Sequence, residues 1–276
     1  MTREFQKIAV IGRQDDPRVA EPMSALVGYL TKDNIEVCED AADCDLIISI
    51  GGDGTLLYAA HAAGGSDVPI LGINRGRLGF LADITPDKMI ESVSQVLDGN
   101  YSRDSRMQLA ASLERADGKV TQSIALNDVV LQRGETGRMV DFETRVGDHY
   151  VNTHAGDGLI VATPTGSTAY ALSCGGPILE PQIDAIALVP VCPHTLTDRP
   201  IVIPASEGVT VRLLDRADTK AGVSVDGHSI GEISPADRLL IKKADARITL
   251  IHPPGYDFYA ILRSKLYWGR DSRLRR

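Results

Sequence analysis

The segment Asp45-Leu46-Ile47-Ile48-Ser49-Ile50-Gly51-Gly52-Asp53-Gly54-Thr55 decides the fold class, because it joins a strand signal directly to a helix signal. Its first part is an almost continuous apolar run, which is typical of a strand buried on both faces of a parallel sheet. Gly51 to Thr55 predicts a tight turn, and Leu56 to Ala63 predicts a helix. A strand, a glycine-rich turn and a helix in this order predict the ligand-binding edge of an open α/β sheet.

Further strand and helix signals alternate on both sides of this segment. Strand-like runs lie at Lys7–Gly12, Glu36–Cys38 and Pro69–Ile73, and helical spacing lies at Arg18–Leu30 and Asp87–Leu97. This alternation predicts an N-terminal, Rossmann-like open α/β domain over residues 1–100.

The pattern changes after residue 100, where short runs alternate apolar and polar residues. Gln108–Glu114 and the turn at Ala116–Lys119 predict a hairpin. Similar short runs recur at 141–146, 158–162, 209–214, 223–225 and 247–252. We therefore predict an all-β, sandwich-like second domain over residues 101–254, and we expect residues 255–276 to return to the first domain.

The composition is that of a soluble globular protein, with 43% hydrophobic and 24% charged residues among 276. The longest apolar stretches, such as Leu46–Ile50 and Ala185–Val189, are far shorter than the roughly 20 residues that span a membrane. The N-terminus has no long apolar core, so we expect no signal peptide and predict a cytoplasmic location. A net charge of -8 disfavours nucleic acid as a partner.

The four cysteines show no CxxC pairing, and we interpret Cys38, Cys44, Cys174 and Cys192 as reduced thiols that fill apolar space. No zinc site or other resident metal site is predicted. The basic run Arg270–Arg276 is interpreted as a solvated chain end.

Asp53 is the unusual residue of the glycine-rich turn. Glycines and helix N–H groups favour a phosphate, whereas a carboxylate repels one, so Asp53 is expected to accept a proton or bind a substrate hydroxyl. A helix-capping Asp is the alternative. The chain lacks GxxxxGK[ST] and GxGxxG, which disfavours P-loop kinases and ordinary dehydrogenases. On GGDGT alone, a lipid kinase, a phosphofructokinase-like enzyme and a dinucleotide kinase all remain open.

Three further segments carry polar groups suited to a nucleotide. Asn127 and Asp128 precede a strand and suit the edge of an adenine or a ribose diol, with an Asx turn as the alternative. Thr163–Thr168 offers hydroxyls and N–H groups for phosphate or ribose, and Thr165 or Ser167 could instead cap a helix. Tyr170 could stack on a base or fill an interface.

Together with GGDGT, the segments Leu126–Val130, Gly156–Pro177 and Ser224–His228 resemble the NAD kinase family over most of the chain. The resemblance implies transfer of the terminal phosphoryl group of ATP to the 2'-hydroxyl of the NAD adenosine ribose, which gives NADP. Asp53 would be the general base, magnesium would accompany ATP, and the chain would form a homodimer or homotetramer. The phosphate-donor range, the choice between NAD and NADH, and feedback by NADPH stay open.

The resemblance also assigns dinucleotide contacts residue by residue. Asp157 corresponds to a carboxylate on the nicotinamide side, and Phe80 to a motif near the adenine pocket. Arg138 lies where the family often has a basic residue, and His228 where glutamine is frequent. Ala155 and Gly156 replace an Arg-Ser pair of many bacterial members. The remaining expected contacts are Asp53, Gly54, Asn127, Asp128, Thr168, Ala169, Tyr170 and Ser173.

Two rival functions follow from the same motifs. Another GGDGT kinase acting on a lipid or sugar phosphate is disfavoured by Asn127-Asp128 and by the segment Thr163–Tyr170. A catalytically silent NAD(P)-binding regulator is disfavoured by Asp53, because binding alone has no chemical need for a carboxylate facing phosphate.

Overall fold

The computed structural model describes residues 4–76, 79–134, 139–214 and 219–268. The chain divides into two units: unit 1 comprises Met1–Asp104 and Ile248–Arg276, and unit 2 comprises Ser105–Arg247. The predicted boundaries, after residues 100 and 254, differ from these because a long strand runs across each division. These strands are Ser102–Glu114 and Arg238–His252.

Unit 1 contains a parallel sheet in the order β2-β1-β3-β4, and the end of β16 is added beside β4. All six residues of β3 are buried, as the continuous apolar run predicts. The strands are β1 (Lys7–Gly12), β2 (Glu36–Cys38), β3 (Leu46–Gly51), β4 (Ile70–Asn74) and β16 (Arg238–His252). The helices are α1 (Pro17–Lys32), α2 (Asp53–Ala62), α3 (Met89–Leu97) and α5 (Phe258–Leu266). The predicted open α/β domain is therefore confirmed.

The C-terminal segment belongs to unit 1, as predicted. Leu250 and Ile251 of β16 pair with Ile70 and Leu71 of β4, and α5 follows in the same unit. The basic run at 270–276 lies outside the described residues. Across the described ranges, no helix has both the length and the apolar character needed to cross a membrane.

Unit 2 contains two sheets. Neighbouring strands whose residue-by-residue pairing is defined run antiparallel in both. One has the order β16-β13-β8-β9 and also contains the β5–β6 hairpin, and the other has the order β12-β11-β10-β7-β14-β15. A shared core that includes Phe142, Leu159 and Val211 packs between the sheets, which confirms the sandwich-like prediction. The strands are β5 (Ser102–Glu114), β6 (Val120–Ala125), β7 (Asp128–Arg133), β8 (Val140–Val146), β9 (His149–Gly156), β10 (Gly158–Ala162), β11 (Ala185–Val191), β12 (Ile201–Pro204), β13 (Val209–Leu213), β14 (Ala221–Val225) and β15 (His228–Ile233). Helix α4 (Tyr170–Ser173) is a single turn.

The hairpin predicted around Ala116–Lys119 is confirmed. β5 and β6 pair antiparallel, and the turn closes through the Arg115 N–H and the Lys119 carbonyl, with Gly118 at a φ of 85°. The strand β9 was not anticipated from the sequence. Most of its residues are half-buried or exposed, so it carries little apolar alternation for a pattern to detect.

The prediction of four reduced thiols is wrong for Cys38 and Cys44, which form a disulfide with their Cα atoms 6.7 Å apart. A short 3-10 turn at Ala41–Asp43 lies between them and folds the chain back after β2. Cys174 and Cys192 are free, and Cys192 is exposed rather than packed in apolar space.

A buried charged group in unit 1 links its stability to pH. His252 stacks on Tyr256, with its Nδ1 3.2 Å from Asp83 Oδ2 and its Nε2 3.5 Å from Asp104 Oδ2. Burial disfavours the imidazolium, but the hydrogen bonds and charges of Asp104 and Asp83 outweigh it and raise the pKa of His252 above its usual value. The imidazolium therefore stabilises the fold below the unfolded-state pKa of about 6.5, and this contribution is lost as pH rises through the folded-state pKa.

We expect His252→Gln to lower the free energy of unfolding by about 3 kcal/mol below about pH 6, because two carboxylates lose their cation. The deficit relative to wild type should shrink as the pH is raised. Urea unfolding at several pH values measures it, with exposed His149→Gln as the control. A deficit that is constant with pH would contradict a charge role for His252.

Candidate active site

The Asp53 carboxylate is held by the backbone of a distant segment. Asp53 Oδ2 accepts the Phe80 N–H at 3.0 Å, and Oδ1 accepts the Leu81 and Ala82 N–H groups at 3.1 and 3.3 Å. Asp53 is also the first residue of α2, but Gly52 is the N-cap and no side chain caps this helix. The helix-capping alternative is therefore wrong, and the carboxylate joins the turn after β3 to residues 80–82.

Two glycines make this arrangement possible. A Cβ atom on Gly79 would overlap Asp53 Oδ1, and a Cβ atom on Gly51 would overlap Thr55 Oγ1. Since neither glycine is at a positive φ, close approach and not backbone conformation requires them. Phe80 is half-buried, and its ring lies 5.6 Å from Lys265 Nζ.

A cleft of about 540 Å³ opens beside the same turn in unit 1. Its walls include Gly54 and Thr55 at the N-terminus of α2, together with Arg13 and Arg75. The N-terminus of a helix carries a partial positive charge, and the guanidinium groups of Arg13 and Arg75 add N–H donors, although each also pairs with an aspartate. The cleft is therefore suited to a polyanion.

Asn127 and Asp128 stand at the start of β7 in unit 2, where a second carboxylate holds the backbone. Asp226 accepts the N–H groups of Leu126, Asn127 and Asp128 at 2.7, 2.8 and 3.0 Å. Asp226 itself lies in the turn between β14 and β15 at a φ of 47°. Its N–H returns a hydrogen bond to the Asp128 carbonyl at 3.0 Å. The motifs Leu126–Val130 and Ser224–His228 therefore meet in space.

The turn after β10 closes the other side of this strand end. Thr163 Oγ1 donates to the Leu126 carbonyl at 2.6 Å and accepts the Gly166 N–H at 3.0 Å. A Cβ atom on Gly166 would overlap the Asn127 carbonyl oxygen. Thr163 thus caps this turn. Thr165 is the N-cap residue of the 3-10 turn, as the capping alternative has it, but its side chain makes no cap bond. Ser167 Oγ instead donates to the Pro164 carbonyl at 2.6 Å and accepts the Leu179 N–H at 2.9 Å.

The side chains of Asn127 and Asp128 are buried, yet within the described ranges neither makes a hydrogen bond. Burial raises the pKa of Asp128 to about 7, and the charge of neighbouring Asp226 acts in the same direction. Polar groups that are largely removed from solvent and have no partner within the protein gain by pairing with a bound molecule. Such groups are suited to pair with a ligand.

In unit 2, the charge of Asp157 acts on the phenol group of Tyr170. Burial and the nearby Cys174, Cys192 and Asp157 raise the pKa of Tyr170, whose side chain is still 40% exposed. Asp157 Oδ1 pairs with Arg133 Nε at 3.0 Å. An exposed ring of this kind can stack on a base.

The other expected contacts fall in different surroundings. Thr168, which ends the 3-10 turn, and Ala169, which precedes α4, are half-buried. Ser173, Gly54 and His228 are exposed. Arg138 lies outside the described residues. The part of the chain that the structure describes contains no cluster of three or more His, Cys, Asp or Glu side chains that could hold a metal ion.

Sequence reasoning missed the supporting roles of Gly79, Thr163 and Asp226. Asp226 lies in the motif Ser224–His228, but its hydrogen-bond partners are about one hundred residues away along the chain. An aspartate followed by glycine between two strands signals only a turn. No pattern along the chain shows which backbone groups its carboxylate accepts.

Comparison with known proteins gives matches over nearly the whole chain. Residues 8–101 match the ATP-NAD kinase N-terminal domain and residues 126–253 match the ATP-NAD kinase C-terminal domain. The NAD kinase of Saccharophagus degradans is 42% identical over 285 residues, which cover 96% of this chain and 97% of that protein. The NAD kinase of Aromatoleum aromaticum is 38% identical over 294 residues, covering 99% and 97%.

Solved structures agree with the fold. An NAD kinase from Archaeoglobus fulgidus in complex with ATP superimposes with a TM-score of 0.75 at 26% identity, covering 95% of this chain and 98% of that one. Yeast NADH kinase complexed with NADH gives a TM-score of 0.92 at 22% identity, covering 99% and 90%. The yeast likeness shows the fold alone.

The fold and the two groups of polar residues define a kinase built from an α/β unit and a β-sandwich unit. The chain belongs to the NAD kinase family. The predicted family and enzyme class are thereby confirmed, as is phosphorylation of NAD with ATP.

We expect Gly79→Ala to lower kcat by at least about 100-fold, because a methyl group would displace the Asp53 carboxylate by about 1 Å. Steady-state assay of NADP formation measures this effect. The control is Gly28→Ala in α1, where a Cβ atom meets nothing within 4 Å. A Gly79→Ala enzyme with wild-type kcat would show that the exact position of Asp53 is unimportant.

Proposed function

We propose that Asp53 accepts the proton from the 2'-hydroxyl of the NAD adenosine ribose as the terminal phosphoryl group of ATP is transferred to it. Three backbone N–H groups fix the carboxylate without neutralising it. A carboxylate offers about four acceptor sites, so one remains for a substrate hydroxyl. A base positioned in this way orients the attacking hydroxyl and accepts its proton.

The observation that carries the proposal for NAD binding is the buried pair Asn127 and Asp128. Their side chains make no hydrogen bond to the described residues, while the backbone beneath them is fixed by Asp226 and Thr163. A fixed backbone that presents a side-chain amide and a side-chain carboxyl without intramolecular partners is a preorganised recognition site. The amide and carboxyl together fit either the adenine edge or the ribose diol of NAD.

The cleft beside α2 is proposed to receive the triphosphate of ATP. Arg13 pairs with Asp15, and Arg75 pairs with Asp16 at 3.0 Å. Both arginines are partly exposed, so a triphosphate can compete for them. We take Mg²⁺ as part of the substrate, bound to ATP, where it offsets charge on the phosphates.

Further contacts with NAD are proposed from the residues around α4. Tyr170 would stack on a base, and Thr168, Ala169 and Ser173 would line the dinucleotide. The free oxygen of Asp157 and the exposed His228 would face its nicotinamide side. The exposure of the Tyr170 ring and the effect of the Asp157 charge on its pKa support this arrangement.

Self-association is proposed for unit 2. The edge strand β12 exposes Ile201 and Val202, which are 39% and 45% exposed. An apolar edge strand favours pairing with another chain, which here would be a second copy in a homodimer or homotetramer. The cytoplasmic location stays a prediction from the sequence.

We expect Asp53→Asn to lower kcat by a factor of about 100 to 10,000, because an amide cannot accept the proton. The dissociation constant for NAD should change by less than about threefold, since binding relies on unit 2. Calorimetry and steady-state kinetics measure the two effects. Exposed Asp67→Asn is the matched control. Equal losses of binding and turnover would make Asp53 a binding residue.

We expect NAD affinity to rise with pH up to about 7 and then level off. The charged form of Asp128 is disfavoured in the free protein, whereas a hydroxyl or amino group of NAD donating to it would favour that form. Binding below pH 7 should therefore release a proton, with affinity gaining at most about tenfold per pH unit.

Calorimetry in buffers of different ionisation enthalpy measures the protons released. Asp128→Asn should release none and should lose the pH dependence. Proton uptake, or an unchanged release in the variant, would contradict a role for Asp128 as an acceptor.

A further inference from the structure

A cavity of about 250 Å³ lies within unit 2, between its two sheets. Thr144 of β8 lines it from one sheet, and Leu159, Leu188 and Ile201 line it from the other. The segment Thr197–Arg199 also contributes to its wall. None of these residues is among those proposed to bind NAD or ATP.

Thr144 places an unsatisfied hydroxyl at this cavity. Its side chain is fully buried, and Oγ1 has no hydrogen-bond partner among the described residues. A buried hydroxyl without a partner is disfavoured unless a bound molecule supplies one. Thr144 can both donate and accept a hydrogen bond.

His154 provides the second polar group, and its orientation is fixed. Its Nδ1 lies 2.9 Å from Asp198 Oδ2, and Asn152 Nδ2 donates to Asp198 Oδ1 at 2.7 Å. Because the carboxylate accepts, Nδ1 carries the proton, and in the singly protonated ring Nε2 is then the acceptor. Stacking on Phe142 at 5.0 Å holds the ring, and Nε2 makes no hydrogen bond within the described ranges.

The two charged residues in the cavity wall, Asp198 and Arg199, carry opposite charges. Asp198 accepts hydrogen bonds from Asn152 and His154, and Arg199 Nη1 donates to the carbonyls of Leu196 and Asp198, both at 2.7 Å. Because both groups are held by hydrogen bonds and their charges are of opposite sign, the wall favours a neutral ligand. The remaining wall is mostly apolar, which favours a flat ring.

We propose that this cavity is a binding site for a small, neutral heteroaromatic molecule. The ligand donates one N–H to His154 Nε2 and accepts a hydrogen bond from Thr144 Oγ1, while its faces contact Leu159 and Leu188. The volume is below the roughly 300 Å³ at which sites for drug-sized ligands begin, so the site accommodates one ring or a fused pair of rings.

The probe is benzimidazole, which is flat and neutral and has one N–H donor and one ring acceptor. Indene has the same shape without nitrogen and is the control compound. Binding is measured by NMR chemical-shift perturbation on the full chain with saturating NAD, so that the NAD site is occupied. We expect shifts of the cavity residues with benzimidazole and binding by indene that is at least about fivefold weaker.

Thr144→Val removes the hydroxyl without changing the volume. We expect this variant to bind benzimidazole about fivefold more weakly and to unfold at the same or a higher temperature, since the hydroxyl has no partner in the free protein. Leu188→Phe, which fills the cavity, should abolish binding. If Leu188→Phe does not fold, Thr144→Val still decides the question.

Three results would overturn the proposal. Benzimidazole could bind wild type and Thr144→Val equally, or its binding could vanish when NAD is saturating. A crystal of the full chain soaked in benzimidazole could contain only ordered water in the cavity. Density for the probe between Thr144 and His154 would support the proposal directly.

Discussion

In the described part of each unit, one aspartate accepts three consecutive backbone N–H groups, and the candidate site residues of that unit depend on it. Asp53 accepts from residues 80–82, and Asp226 accepts from residues 126–128. These N–H groups belong to a loop and to the start of a strand. An acceptor with two oxygens satisfies several of them at once, and it thereby holds irregular backbone in a single conformation.

Two neighbouring aspartates of unit 2, Asp226 and Asp128, have opposite roles. Asp226 accepts three backbone N–H groups and supports the chain, whereas neighbouring Asp128 is buried without a hydrogen-bond partner among the described residues. The charge on Asp226 also disfavours ionisation of Asp128. Asp226 therefore both positions the backbone of Asp128 and raises the pKa of its carboxyl group. The cost of keeping Asp128 unpaired is recovered when a ligand supplies the missing donor.

Local signals along the chain predicted much of this architecture. The apolar run of β3, the Gly-rich turn and the helical spacing of α1 and α3 identified the α/β unit. The hairpin between β5 and β6 was also evident. The weakly patterned β9, the strands that cross the unit boundaries and the bond between Cys38 and Cys44 were not. Each depends on pairing with another part of the chain, which periodicity does not report.

The sequence by itself determined the fold class, the family and the residue types of the site, because periodicity and motif spacing are properties of the chain. The tertiary structure alone decided what these residues do for one another. It showed that Asp53 does not cap its own helix, and that Thr163 and Asp226 fix the backbone beneath Asn127. It also showed the cavity beside Thr144. The physical reason is that burial and hydrogen-bond partners arise from segments many residues apart, which meet only in the folded chain.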